Sequence, residues 1–270
     1  MSVAVGRTLE GLQRQWCHEA QGGAQASTTL IPTILDLLQQ AGLRLDALDA
    51  ICFGAGPGSF TGLRTACSVA QGLAFGANLP VVPMDSLQVV AEEARHAACG
   101  PTAPSAVTSL LDARMNELYA ATYVYDPSGW TELLGSRLVR PHDLAAHLGT
   151  VQEALGLPGV APAGASWVLA GNVFAEYADS LAEAIAAVEG LRTVAAMPTA
   201  RSMLRLAPAM IAEGAAVDAA LAAVRGTAGV QGAATSSIAI GGTSVMRATA
   251  SGSVDAIAAA LRARGWQVSV

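Results

Sequence analysis

Lysine is missing altogether: all 15 basic residues of this 270-residue chain are arginine. Coding in a GC-rich genome accounts for that more simply than function does. The net charge is −6 and no basic stripe runs along any segment. The chain alone therefore lacks the clustered cations that neutralising phosphates requires, and any nucleic-acid role is expected to run through a partner. Aromatic residues are scarce at 4% and charged residues make up 13%. No stretch of about 18 uninterrupted strongly apolar residues occurs, which argues against a membrane span. Met1-Ser2-Val3-Ala4-Val5-Gly6-Arg7 lacks a charged segment followed by an apolar one, so no secretory signal is read and a cytoplasmic protein is expected. The four cysteines, Cys17, Cys52, Cys67 and Cys99, show no CxxC spacing. Cys52 and Cys67 fall inside an expected strand and an expected helix, which points to buried, reduced thiols rather than a zinc site.

What is present is aliphatic. Apolar residues make up 52% of the chain, much of it alanine, enough for a sizeable core of closely approaching helices in one large or two modest domains. Ser2–Val5 reads as a strand and Leu9–Glu19 as a second. Leu30–Ala41 reads as a helix, with Ile31, Ile34, Leu35, Leu37 and Leu38 at helical spacing, Pro32 in the first turn and Gly42 after the end. Leu48–Phe53 reads as a strand, 61–75 as a helix, Pro80–Pro83 as a short strand, and Ser86 is expected to cap a helix to Ala98. Residues 100–104 look like a linker. Strands follow over 106–111, 117–125 and 131–138, with a hairpin turn at Pro127-Ser128-Gly129. Then come a helix over 141–148, a strand over 167–172, a helix over 173–187 and a last helix over 198–213, continuing or restarting to 224. The recurring rhythm of strands and helices suggests two similar α/β halves, the ribonuclease-H-like duplication of sugar kinases and actin. The expected division is residues 1–104 for the first half, joined by the helix 198–224, and 105–197 for the second, with a tail from 225 to 270.

Between the apolar strand and the helix at 61 lies Phe53-Gly54-Ala55-Gly56-Pro57-Gly58-Ser59-Phe60-Thr61-Gly62-Leu63-Arg64-Thr65-Ala66. Glycine tolerates positive φ and lets main chain approach a partner closely. Ser59 or Thr61 is placed to cap the helix, whose free N–H groups favour an anion or an acceptor. Arg64 in the first turn opposes the helix dipole and so is expected to face a phosphate, a carboxylate or a partner chain. The run is neither a Walker loop nor the dinucleotide fingerprint; read from residue types alone, an ordinary tight α/β connection stays open beside a binding loop.

The whole run resembles the TsaB (YeaZ) family, the non-catalytic subunit of the bacterial machinery that makes threonylcarbamoyladenosine in tRNA. Asp112-Ala113-Arg114-Met115-Asn116-Glu117-Leu118-Tyr119-Ala120 is similar to that family's second signature. Ser68–Ala74, Pro80–Leu87 and Pro198-Thr199-Ala200 extend the likeness over most of residues 2 to 223. The resemblance implies two ribonuclease-H-like halves and a scaffold or activator that pairs with the catalytic paralogue TsaD and works with the ATPase TsaE. It also implies homodimers when the chain is alone. tRNA would be met only through the complex, and ATP/ADP and a metal would be held by the partner subunits, with no cofactor on this chain alone. The site residues it implies are Gly54, Gly56, Pro57, Gly58, Ser59, Phe60, Thr61, Gly62 and Arg64 as a partner- or ligand-contacting loop. Asp112 and Arg114 would stand at a cleft between the halves, beside the plain alternative of a local ion pair. Ile34, Leu38, Val69 and Leu73 would face the partner.

TsaD holds its metal with histidines on the helix after the third strand. The matching helix here has none, and His18, His96, His142 and His147 are scattered and expected at the surface, so neither a metal set nor a Ser-His-Asp arrangement is assembled. The competing expectation is an enzyme of the sugar-kinase superfamily or a glycoprotease-like hydrolase, which would need paired phosphate loops and an acidic metal ligand near the first strand. Two departures from the family are expected to matter. Its usual opening strand, of the type Leu-Ala-Ile-Asp-Thr, is not read ahead of Ser2, which suggests a start codon placed too far downstream or a shortened chain. Residues 225–270 read as a Gly/Ala linker, a strand at 237–240, a helix at 254–264 and a strand at 266–270, without family counterpart: a frameshift product, an added βαβ piece or a donor for the missing strand.

Overall fold

The computed structural model describes residues 1–9, 12–20, 26–215, 236–240 and 244–248. The chain divides into two compact units. Unit 1 takes in Met1–Ala55 and Ser59–Met84 and begins again at Ala207; unit 2 takes in Gly56–Gly58 and Asp85–Leu206.

Unit 1 opens with β1 (Ser2–Leu9) and β2 (Leu12–Glu19), antiparallel in a register that sets Val5 opposite Trp16. Period-2 alternation turns Val3 and Val5 of β1 inward, where they meet Leu37, Leu38 and Ala41 of α1 (Ala26–Ala41). A 3₁₀ turn at Leu45–Ala47 leads to β3 (Ile51–Gly56), α2 (Phe60–Ala77) and β4 (Val81–Asp85). The Ile51 N–H bonds the Pro80 carbonyl at 3.0 Å, so β3 and β4 pair start to start and run parallel, the arrangement a helical crossover requires. Phe53, Cys67, Ala70, Ala74 and Val81 form their core. α2 ends at Asn78, which takes the left-handed conformation at φ 53°, a position that asparagine tolerates better than most residues.

Unit 2 contains α3 (Ser86–Ala98), β5 (Ser105–Arg114), β6 (Glu117–Asp126), β7 (Gly129–Val139), α4 (Leu144–Leu155), β8 (Ser166–Gly171), α5 (Ala178–Ala186), β9 (Arg192–Ala195) and the first part of α6 (Ala200–Ala212). Its five strands form one sheet in the order β7-β6-β5-β8-β9. β5 is antiparallel to β6 and parallel to β8, and is the central strand. Val107 and Leu111 of β5 sit in one core cluster with Leu87, Val90 and Ala94 of α3, and Leu110 in another with Leu144, Leu148 and Leu181. Two-sided burial accounts for the stretch Ser105–Leu111 of β5, which is buried throughout and made of aliphatic residues with the small hydroxyl residues Ser105, Thr108 and Ser109. This is the ribonuclease-H-like α/β arrangement the sequence rhythm suggests. The strands β10 (Ser236–Ile240) and β11 (Ser244–Ala248) pair antiparallel with each other.

Several expectations change. Asp85, not Ser86, caps α3: its carboxylate accepts from the N–H groups of Leu87 (2.6 Å) and Gln88 (3.2 Å). The strand β9 was not expected, because four residues, Arg-Thr-Val-Ala, carry too little periodicity. The expected helix over 141–148 splits into a 3₁₀ turn at Pro141–Asp143 and α4. α3 groups with unit 2, where it packs on β5, β6, β8 and β9, although it precedes the 100–104 turn. Of the helix continuation to 224, residues 216–224 lie outside the described residues, as do the helix over 254–264 and the strand over 266–270.

The polar centre of unit 2 is a closed ion network. Glu92 accepts from Arg95 at 2.9–3.1 Å, from Arg205 Nε at 2.8 Å and from Trp130 Nε1 at 3.2 Å. The Arg95 guanidinium also donates to the Gly100 and Pro101 carbonyls and lies 3.9 Å from the Tyr125 ring centroid. Glu93 accepts from Thr199, Ser202 and Arg205. Burial pushes the Glu93 carboxyl upward, but those three donors and the Arg205 charge outweigh it and hold the group below its ordinary value.

Candidate functional site

The glycine run folds as the end of β3, a short bend and the start of α2. Gly54 to Gly56 remain in β3, Gly56 has φ 108°, and the Gly56–Pro57 peptide is cis. A side chain at Gly56 would be strained by that φ. Gly62 differs, since a Cβ there would meet Ser59 Cβ at 3.6 Å, an ordinary contact, so alanine fits.

Ser59 occupies the N-cap position of α2 without a side-chain cap bond, and the Thr61 carbonyl accepts from Thr65 Oγ1 at 2.9 Å. Neither hydroxyl caps the helix, contrary to the expectation. The first intrahelical bond runs from Leu63 N–H to the Ser59 carbonyl at 2.9 Å, so the N–H groups of Phe60, Thr61 and Gly62 have no acceptor within the helix. Ser59, Phe60, Thr61, Gly62 and Arg64 are exposed, Phe60 by 66%. The Arg64 guanidinium stacks 3.6 Å above the Phe60 ring centroid, and among the described residues it has no carboxylate partner. An aromatic ring, a planar cation and three free N–H groups thus meet at one exposed helix start. Such a surface suits an acceptor or a partner chain; among the described residues no base is hydrogen-bonded to Ser59 to make it a nucleophile.

The apolar residues expected to face a partner divide. Leu38 is 4% exposed and Ile34 packs against the same core cluster. Leu38 is therefore a core residue of unit 1, because the β1–β2 hairpin lies under its face of α1. Ile31 and Leu35, one helical turn apart on α1, are 43% and 53% exposed; among the described residues they are the large aliphatic side chains of α1 left exposed. Val69 and Leu73 are partly covered on α2, and Phe75 is exposed. Helical spacing signalled all of these residues but not which side the hairpin covers.

Asp112 and Arg114 form a local ion pair, Arg114 Nη1 to Asp112 Oδ2 at 3.1 Å, and the Arg114 N–H donates to Asp112 Oδ1 at 2.9 Å. Tyr177 donates to Asp112 Oδ1 at 3.0 Å, and the Asp112 N–H donates to Asn172 Oδ1 at 3.0 Å. Desolvation, and then the Asp112 bond, push the Tyr177 phenol up. Arg114, Met115 and Asn116 all have positive φ, from 54° to 64°, an uncommon backbone for non-glycine residues in succession. Asp112 thus ties the β5–β6 turn to the end of β8, where sequence had not placed Tyr177 or Asn172.

His18, His96 and His142 are exposed as expected, but His147 is buried in α4 against the core. Desolvation, and secondarily the charge of Arg137, lower its pKa. Burial raises the Cys52 thiol to about 11 and raises that of Cys67, which suits inert thiols. Among the described residues no three His, Cys, Asp or Glu side chains converge as a metal set, and no helix is long and apolar enough to cross a membrane.

Residues 12–226 match the family model described as "TsaD: tRNA N6-adenosine threonylcarbamoyltransferase". The tRNA threonylcarbamoyladenosine biosynthesis protein TsaB of Escherichia coli is 30% identical over 186 residues, 68% of this chain and 73% of that protein. The TsaB of Haemophilus influenzae is 38% identical over 122 residues, 42% of this chain, so the matched segment spans about half of that relative, 49%. Among solved structures, YeaZ from Pseudomonas aeruginosa superposes with a TM-score of 0.63 at 28% identity, covering 82% of this chain and 92% of that one.

Proposed function

Because the chain belongs to the TsaB (YeaZ) family, we propose that it serves threonylcarbamoyladenosine formation in tRNA as a non-catalytic scaffold and activator subunit docking on TsaD. The observation that carries this reading is the exposed Phe60–Arg64 stack at the open start of α2. Aromatic residues and arginine dominate the energetic centres of protein interfaces. The uncovered Ile31 and Leu35 of α1 add apolar surface of the kind that marks association. In this reading TsaD and TsaE hold the nucleotide and the metal, the acidic chain meets tRNA only through the complex, it homodimerises when alone, and the assembly works in the cytoplasm.

Reconstitution tests it. tRNA is incubated with TsaD, TsaE, ATP and the threonylcarbamoyl donor, with and without this chain, and modified adenosine is counted. Modification is expected to need the chain. Leu35→Asp and Arg64→Ala should weaken co-purification with TsaD and lower modification by about tenfold or more, the scale of losing an interface anchor of about 1.4 kcal/mol or above. Their melting temperatures should stay within about 2 °C of the parent, as for surface substitutions. Turnover by the isolated chain that depends on Ser59 or Arg64 would replace the scaffold with a kinase-like or hydrolytic enzyme.

A further inference from the structure

A cleft of about 370 Å³ opens on unit 2 between the edge strand β7 and α4, within the size range of small-molecule sites. Strand register builds one wall. Leu118 of β6 lies opposite Val139 of β7, and Ala120 opposite Arg137. Leu118, Ala120 and Val139 share a core cluster with Leu144 and Leu148 of α4. Alternation along β7 therefore puts Arg137 on the face that α4 covers. Arg140 follows at the end of the strand, beside Glu117, which precedes Leu118. Asp143, at the start of α4, and His147 and Thr150 within it recur at helical spacing and line the other wall.

The charges around this volume are left open. Two arginines and two carboxylates line it, yet among the described residues no ion pair joins them. Asp143 Oδ1 meets only His142 Nε2, at 3.5 Å, an ion pair while that imidazole is protonated. His147 is 7% exposed, and its Nε2 is buried without a hydrogen-bond partner among the described residues. Burial, and then the Arg137 charge, hold the His147 pKa below its ordinary value, so the ring is neutral at neutral pH. A neutral imidazole nitrogen either donates or accepts a hydrogen bond. Nε2 does neither within the described chain, and such buried orphans are uncommon in native proteins. Thr150 gives its hydroxyl proton to the Ala146 carbonyl at 3.1 Å, which leaves its oxygen to accept from a ligand.

We propose that this cleft binds a small zwitterion of the amino-acid class, its carboxylate on Arg137 and Arg140, its ammonium on Glu117 and Asp143, and His147 Nε2 as a further hydrogen-bond partner. The guanidinium fork matches a carboxylate with two parallel bonds. An ammonium has donors only and needs several acceptors, which Glu117, Asp143 and Thr150 supply. A lone anion would face the two carboxylates and a lone cation the two arginines, at a Coulomb cost that grows away from bulk water. An extended polyanion meets the same repulsion. A molecule carrying both charges leaves neither pair of side chains opposed. The site lies wholly within unit 2 and rests on no part of the partner reading above.

The test uses the full 270-residue chain with nitrogen-labelled histidine, the His147 ring signals being assigned by their loss in His147→Leu. L-alanine, β-alanine and γ-aminobutyrate, zwitterions of growing charge separation, are titrated in, and acetate and methylammonium supply each charge alone. At least one zwitterion should shift the His147 signals saturably. It should bind about tenfold or more tighter than acetate or methylammonium, as a second charged hydrogen bond implies. The signals of His18 and His96, both exposed, should stay in place. Arg137→Gln and Glu117→Gln should each weaken that binding by about tenfold or more, with melting temperatures within about 2 °C of the parent, as for surface substitutions. Three zwitterions that leave His147 unshifted, or that shift His18 and His96 equally, would overturn the proposal. Acetate or methylammonium binding as tightly as the best zwitterion would reduce the cleft to a single-charge site and overturn it too, as would unchanged binding in either variant.

Discussion

Replacing Glu92 with alanine should unfold unit 2 far more readily than any surface change. The carboxylate is 2% exposed and accepts from Arg95, Arg205 and Trp130. Without it the Arg95 guanidinium, also buried, keeps the Gly100 and Pro101 carbonyls and the Tyr125 and Trp130 rings but loses its carboxylate. Arg205 suffers less, because it retains Glu93 at 2.9 Å. Removing one partner of a buried pair costs about 3–5 kcal/mol, since the stranded charge stays desolvated. A domain has only about 5–15 kcal/mol to lose. For a unit of this size about 3–6 °C of melting temperature go with each kcal/mol, so the shift should be roughly 10–30 °C. Thermal unfolding would be followed by the fluorescence of Trp130 and Trp167, both in unit 2, in a Trp16→Phe/Trp266→Phe background. The double variant Glu92→Met/Arg95→Met should melt well above the sum of its single variants, with a coupling of about 2 kcal/mol or more. A Glu92→Ala melt within about 3 °C of the parent, a shift worth less than about 1 kcal/mol, would refute the network as a source of stability.

Gly171→Ala should be at least as damaging, because the new Cβ would lie 1.8 Å from the Leu110 carbonyl oxygen and main chain in the central sheet would have to move. Soluble expression and a parent-like melt would contradict the strand spacing described for β5 and β8. Asp85→Ala should lose about 1 kcal/mol through the uncapped start of α3, whereas Ser86→Ala should not lose a cap; urea titration of both separates the two candidate caps. His147 is depressed in the folded state, so folding favours its neutral form. Its contribution is therefore full above the unfolded value of about 6.5 and is lost as pH falls from there toward the folded value. His147→Leu should remove that pH dependence from the melting curve of unit 2, and an unchanged pH profile would count against it.

Much of this architecture is legible along the chain because its signals are local. Period-2 and period-3.6 apolar spacing marked most strands and helices, and the glycine run marked the turn from β3 into α2, since backbone conformation there depends on residues within a few positions. The lack of any cation cluster or of histidines at metal-ligand spacing likewise needs no fold to be read. Burial is different, because it depends on what another segment lays over a given face. Leu35 and Leu38 stand on the same helix with the same hydropathy, and only the β1–β2 hairpin makes one a core residue and leaves the other uncovered. His147 is buried because β5, β8, α4 and α5 share a core, and Glu92 is tolerated inside because Arg205, from a helix distant in the chain, joins Arg95 of its own helix in bonding it. Asp85 rather than Ser86 caps α3 because the turn aims its carboxylate at the helix N–H groups. The split between β1–β2 and β3–β4 was decided in the same way: pairing is a contest among segments far apart in sequence, and no local pattern states which strand lies beside which.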